Sequence, residues 1–269
     1  MNIGGLHRCS LVDYPGRPAA VVFTQGCNFR CWYCHNPELV YAPSQRFIPW
    51  PTIVEFLVRR RGLLQVVVFS GGEPTLQPDL PEVLAEVRNL GYRIKLDTNG
   101  SRPDALENLV RRRLVDFIAM DVKAPLRMYT AVAGVPVDTG AIATAVQIIR
   151  DSGIAHQFRT TYGREPGFPF APADVFALTG DPEHHIVQPF RIPTGKPILR
   201  DVRSTVADPP HPPMSDGLPP QDGGGCRGGR RITVPPTPQR DRNLRATTVR
   251  PRTTPYNTTI VGPEGISHP

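Results

Sequence analysis

Six short runs in the first two hundred residues are mostly apolar: 19–24, 66–70, 94–98, 117–121, 155–161 and 185–188. Runs of this length, mostly apolar on both faces, predict strands buried in a parallel sheet. Segments with helical spacing lie between them, at 51–61, 78–90, 103–113, 140–152 and 172–178. Pro51, Pro81 and Pro103 fall near the predicted helix starts, where proline's missing N–H removes no helical bond. Gly62, Gly91 and Gly153 fall just past the predicted ends, as helix-terminating glycines do. Six strand–helix repeats imply an α/β fold with right-handed crossovers. They are too few for an eightfold barrel, which leaves a partial barrel or a doubly wound sheet. In both, chemistry is expected in the loops at the carboxyl ends of the strands.

The pattern stops near residue 200. Residues 201–269 hold 15 hydrophobic residues among 69, but 13 of the chain's 32 prolines and 8 of its 24 glycines. A segment of this composition cannot bury enough apolar surface to offset its chain entropy. The reading is one folded domain over 1–200 and a low-complexity, disordered tail over 201–269. The tail's Pro/Arg/Gly/Thr bias also resembles GC-rich DNA read out of frame.

Several classes drop out. No run of 18 apolar residues predicts a membrane span. The first residues, Met1 to Arg8, lack a cationic segment followed by an apolar one, so no secretory signal is read. Five cysteines, an odd number, do not suggest a disulfide framework. The expected setting is the cytoplasm, where clustered thiols point to metal or redox chemistry. The formal net charge is +7, with Arg far in excess of Lys. No basic patch with interleaved aromatics supports nucleic-acid binding. Arg59–Arg61 and Arg111–Arg113 sit at predicted helix ends, where cations suit the macrodipole.

The first predicted strand runs into Gln25-Gly26-Cys27-Asn28-Phe29-Arg30-Cys31-Trp32-Tyr33-Cys34-His35-Asn36-Pro37. Three thiols on one loop, spaced Cys-x3-Cys-x2-Cys, can converge on one centre. Three readings compete: a [4Fe–4S] cluster with one iron left open, a zinc ion with His35 as fourth ligand, and a c-type haem on Cys31-Trp32-Tyr33-Cys34-His35. Three later strands also end in polar motifs: Gly71-Gly72-Glu73-Pro74, Asp97-Thr98-Asn99-Gly100 and Asp121-Val122-Lys123. Read alone, the first two are turns and the third a surface ion pair. Arg159 lies inside an apolar strand and is costly there unless paired. Cys9 is read as a small buried hydrophobe, and Cys226 as an exposed thiol in the tail.

The cysteine spacing after a first strand resembles the radical S-adenosylmethionine (SAM) enzymes. The wider string, from Ser10-Leu11-Val12-Asp13-Tyr14-Pro15-Gly16 through Cys34-His35-Asn36, resembles the glycyl-radical-enzyme activases, most of all those serving anaerobic ribonucleoside-triphosphate reductase. The likeness covers about residues 3–200. It implies a partial (β/α)6 barrel with a [4Fe–4S] cluster on Cys27, Cys31 and Cys34. It implies SAM contacts from Tyr33, Gly71, Gly72, Glu73, Asp97, Asp121, Lys123 and Arg159, and from Arg191, which stands where the pyruvate formate-lyase activase has a histidine. A monovalent cation at Asp97, Thr98 and Asp121 is implied as well. In such enzymes reductive cleavage of SAM yields a radical that takes hydrogen from a backbone glycine of a partner enzyme, with electrons from a flavodoxin or ferredoxin. The competing functions are a small-molecule enzyme like 7-carboxy-7-deazaguanine synthase and a cluster-binding protein without activity. If the tail is dispensable, a chain ending at Arg200 stays soluble and still cleaves SAM; loss of cleavage by that shortened protein refutes the dispensability.

Overall fold

In the computed structural model, residues 1–41, 47–163, 168 and 170–190 are described. The apolar runs become strands that follow one another across a single seven-stranded sheet in chain order. They are β1 (Ile3–Ser10), β2 (Ala19–Thr24), β3 (Val66–Gly71), β4 (Arg93–Thr98), β5 (Phe117–Asp121), β6 (Ala155–Tyr162) and β7 (His185–Pro189). From β2 to β7 all neighbours are parallel. The fold is thus the expected α/β partial barrel of six parallel strands, with one strand added.

That addition is β1, which pairs antiparallel to β2. The hydrophobic pattern does not reveal it. Its sequence, IGGLHRCS, breaks alternation with two glycines and a His-Arg pair, and its register slips at two points. Cys9 at its end is exposed, not buried as the composition suggested. It sits on an edge strand with one face towards solvent.

The helices are α1 (Pro37–Val40), α2 (Trp50–Arg59), α3 (Leu80–Asn89), α4 (Pro103–Arg111), α5 (Tyr129–Ala133), α6 (Thr139–Asp151) and α7 (Pro172–Thr179). The five expected helices appear within about two residues of their predicted bounds. Gly62, Gly91 and Gly153 have positive φ beyond helix ends. The two short helices α1 and α5 were not predicted, because four or five residues cannot display a helical period.

Alternation along the strands sorts side chains between two environments. Val67, Phe69, Ile94, Leu96, Ile118 and Met120 point to the helices and join Leu57, Leu84, Leu109 and Ile149 in one core. Ala19, Val21, Phe23, Val66 and Val68 point the other way and form a smaller cluster with Tyr14 and Leu39. Tyr14 closes it edge-on against Phe117, with ring centroids 5.6 Å apart. On β4, β5 and β6 the same inward face carries Lys95, Asp97, Asp121 and Arg159 instead. The apolar floor therefore gives way to a charged wall. Leu96 is fully buried between these layers. Leu96→Ala is expected to cost about 2–5 kcal/mol, the usual range for truncating a buried leucine, read as a lowered urea midpoint with an unchanged slope.

Candidate functional site

The cysteine loop leaves the carboxyl end of β2 and is held by backbone contacts with the loop after β3. The Gly72 N–H donates to the Thr24 carbonyl at 2.9 Å and the Glu73 N–H to the Gly26 carbonyl at 2.8 Å. The two chains lie so close that a Cβ on Gly72 would come within 1.9 Å of the Gly26 oxygen. Gly71 has φ +108°, and a Cβ there would meet the Thr24 backbone at 2.6 Å. Both glycines are required by this approach of backbone to backbone.

Glu73 is 1% exposed. Its Oε1 accepts from the Thr75 hydroxyl at 2.6 Å, the Thr75 N–H at 3.1 Å and the Thr98 hydroxyl at 2.7 Å. Its Oε2 accepts the Asn99 N–H at 2.6 Å. Burial pushes its carboxyl above the usual range, against the pull of these donors. Four protein donors occupy the carboxylate, so Glu73 acts as a staple between the ends of β3 and β4. Asn99 continues the wall, with its Nδ2 3.0 Å from Asn28 Oδ1 and 3.8 Å from the Cys27 sulfur.

The charged wall is one connected ladder. Lys95 Nζ lies 3.2 Å from Asp97 Oδ1. Arg159 bridges the strands, 3.6 Å from Asp97 Oδ2 and 2.8 Å from Asp121 Oδ1, and Lys123 Nζ lies 3.1 Å from Asp121 Oδ2. Ser70 donates to Asp97 at 3.0 Å, and Lys95 donates to the Asp13 carbonyl at 2.6 Å. Desolvation would raise Asp121, but Arg159 and Lys123 hold its carboxyl well below the ordinary range. Desolvation would likewise lower Lys123, but Asp121 keeps it above its ordinary value. Three cations against two carboxylates leave the ladder with one surplus positive charge. Its end, Lys123, lies 6.0 Å from the Tyr33 ring centroid.

The structure thus brings Asp97, Asp121, Lys123 and Arg159 together, with Tyr33 beside them. Thr98 is placed apart, its hydroxyl turned to Glu73, so it does not join Asp97 and Asp121 as the expected cation site requires. Both carboxylates of that site already hold protein cations. Arg191, Cys226 and the tail lie outside the described residues. Lys95, Ser70, Asn99 and the aromatic wall of Trp32, Phe168 and Phe190 were not predicted as site residues. The signal for Lys95 was present: a charge inside an apolar strand, two positions from Asp97, is the argument that singled out Arg159. Trp32 packs 5.1 Å from Phe168 and 5.2 Å from Phe190.

Cys31 is buried and Cys27 and Cys34 are partly exposed. Burial pushes the Cys31 thiol up to about 12, with Lys123 opposing and the other two thiols adding. Among the described residues, these sulfurs belong to no group of three ligand atoms all within 4.8 Å of one another. One tetrahedral zinc would hold its sulfurs about 3.8 Å apart, closer than these three stand, whereas a four-iron cluster takes one thiolate on each of three separate irons and asks for no such close set. Among the described residues, the Tyr33 hydroxyl, buried beside them, has no hydrogen-bond partner, as a group facing a bound cofactor would.

Residues 21–169, more than half of the chain, match the family described as the Radical SAM superfamily. The chain belongs to that superfamily. The cofactors of a radical SAM protein are a [4Fe–4S] cluster and SAM. Among curated relatives, this radical SAM chain is 35% identical over 130 residues to a protein of Methanocaldococcus jannaschii named as a glycyl-radical enzyme activating enzyme, covering 47% of this chain and 52% of that one. It is 32% identical over 127 residues to the pyruvate formate-lyase-activating enzyme of Clostridium pasteurianum, covering 45% and 52%. It is 33% identical over 132 residues to the 7-carboxy-7-deazaguanine synthase of Methanopyrus kandleri, covering 42% and 52%. The matches span about half the length of these relatives. The structure of SuiB from Streptococcus suis bound to SAM superposes with a TM-score of 0.50 at 15% identity, over 65% of this chain and 43% of that one, which supports the fold. No helix among the described residues is long and apolar enough to cross a membrane.

A thiol whose pKa is raised reacts only as the pH climbs towards that value. In iron-free protein at pH 8, iodoacetamide is expected to alkylate exposed Cys9 before buried Cys31, by at least about tenfold in rate. Raising the pH to 10 should narrow the gap, as read by peptide mass spectrometry.

Proposed function

We propose that this radical SAM protein is a glycyl-radical-enzyme activase whose partner is an anaerobic ribonucleoside-triphosphate reductase. The similarity to two proteins named as activating enzymes carries this reading. The Ser10–Gly16 string and the Cys34-His35-Asn36 run agree with it. The bound cluster and SAM would supply, on one-electron reduction, a radical able to remove hydrogen from an unactivated carbon.

The chain's own residues have separate tasks. Cys27, Cys31 and Cys34 hold the cluster. Lys123 and Arg159 bring positive charge to the cofactor's carboxylate and ribose, with Asp97 and Asp121 fixing where that charge points. Gly71 and Gly72, set by Glu73, offer backbone to the methionine amino group. Tyr33, Trp32, Phe168 and Phe190 form an aromatic wall that keeps water from the reacting centre. The substrate is a backbone glycine, presented as an extended loop of the partner. No side-chain base is needed, because the step removes a hydrogen atom. A cytoplasmic flavodoxin or ferredoxin fits as donor, since the cysteines beyond the triplet, Cys9 and Cys226, are too few for a second four-iron cluster.

The likeness to 7-carboxy-7-deazaguanine synthase supports a second reading, with a free pterin as substrate. One electron paramagnetic resonance experiment separates them. With reconstituted protein, reductant, SAM and the reductase of the same organism, the expected result is a glycyl-radical doublet on the reductase. SAM cleavage without that doublet, together with turnover of a pterin, overturns the activase reading in favour of the second.

A further inference from the structure

Away from the thiols, a second set of ligating side chains gathers around the loop before β7. His156 Nε2 lies 2.9 Å from Asp181 Oδ2. His184 Nδ1 lies 2.8 Å from Asp181 Oδ1 and 3.1 Å from Oδ2. The three ligand atoms all fall within 4.8 Å of one another. His156 is the second residue of β6 and pairs with Ile118, whereas Arg159, three residues on, pairs with Asp121 at the carboxyl end of β5. By strand parity His156 also shares the face of Phe158, not that of Arg159, and its ring lies 5.3 Å from Phe158. The set therefore belongs to the amino ends of the strands and to the opposite face from the charged ladder.

We propose that His156, Asp181 and His184 form a second metal site, for a divalent transition ion of the zinc type, clipping the start of β7 to the start of β6. Proton counting around His156 is the first argument. Its Nδ1 lies 3.0 Å from the Ile154 carbonyl, which can only accept, so Nδ1 carries the hydrogen. In the neutral ring that leaves a lone pair on Nε2 facing a carboxylate oxygen at 2.9 Å, the place a proton fills in the imidazolium and a metal ion can fill instead. The Nδ1–H bond to a backbone carbonyl is also how metal-binding histidines are commonly oriented.

Local structure adds to this. Asp181 caps the turn Pro182–His184, accepting the His184 N–H at 3.3 Å. That bond fixes the carboxylate and sets His184 three residues away on the same side. Zinc with bonds of 2.0–2.1 Å holds its ligand atoms about 3.3 Å apart, so the 2.8–3.1 Å between Asp181 and each imidazole asks only for a small parting of those pairs, while the two ring nitrogens lie within 4.8 Å. Two imidazoles and one carboxylate suit a borderline ion such as zinc better than calcium or magnesium, which prefer all-oxygen sites. The side chains of His156 and Asp181 are 13% and 18% exposed and that of His184 56%. Two ligands are sheltered, while the third leaves a path for the ion and room for a water. Binding replaces any proton shared between the rings and the carboxylate, and no redox change is involved.

The test uses the full chain with its four-iron cluster loaded, so that the thiols are occupied. Cobalt(II) is the titrant and zinc the competitor. The expected result is one equivalent of cobalt per chain, without sulfur-to-cobalt charge-transfer absorption, displaced by zinc. Zinc should also raise the melting temperature by roughly 5–10 °C at a hundredfold excess over its dissociation constant. His184→Gln changes a half-exposed side chain and leaves the core intact. It should weaken cobalt uptake by at least about tenfold with iron content unchanged, and Asp181→Asn should do the same. Equal uptake by both variants and the parent would assign the cobalt to other groups. No uptake by the parent would make the three residues a hydrogen-bonded cluster. Either result overturns the proposal.

Discussion

The site depends on one buried carboxylate. Glu73 is shut away from water and collects four donors, from Thr75 behind it and from Thr98 and Asn99 across the sheet. A buried carboxylate left without partners would be strongly destabilising. Satisfying this one fixes the path of the chain leaving β3 relative to the chain leaving β4. Gly71 and Gly72 are then pressed against the cysteine loop, and Asn99 is brought to Cys27. Three loops from three strands take their places from this one group.

The ladder from Lys95 to Lys123 plays a different part. Each carboxylate in it has two cationic neighbours, so neither dominates the local charge. The surplus is positive, and one of the two terminal cations, Lys123, stands on the side of the thiols. A site that must gather three thiolates and a ligand's carboxylate benefits from such a bias. Holding the cations in place by neighbouring carboxylates also avoids reorganisation when the ligand arrives.

Much of this was legible in the sequence. Runs that are mostly apolar suit strands of a parallel sheet, so β2 to β7 followed from the pattern, although β4, β5 and β6 carry charges on one face. The placement of Cys27, Gly71, Asp97 and Asp121 at carboxyl ends followed from the same register. What the sequence hid was pairing. Glu73 stands in the expected motif, but a motif shows position and not which protein donors a carboxylate will meet. Thr98 was grouped with Asp97, although neighbours on a strand face opposite ways. His156, Asp181 and His184 are separated by a helix and a loop, with no spacing motif to join them, and β1 was masked by its glycines.

Strand order that repeats chain order has a consequence for biogenesis. Every strand docks on the one made just before it, so the sheet can be assembled progressively as the polypeptide emerges from the ribosome. Cys27, Cys31 and Cys34 are synthesised early. Glu73, Asn99 and Lys123, which wall them in, come later. The thiols therefore precede the residues that wall them in, and that wall is complete only after β5 has been made.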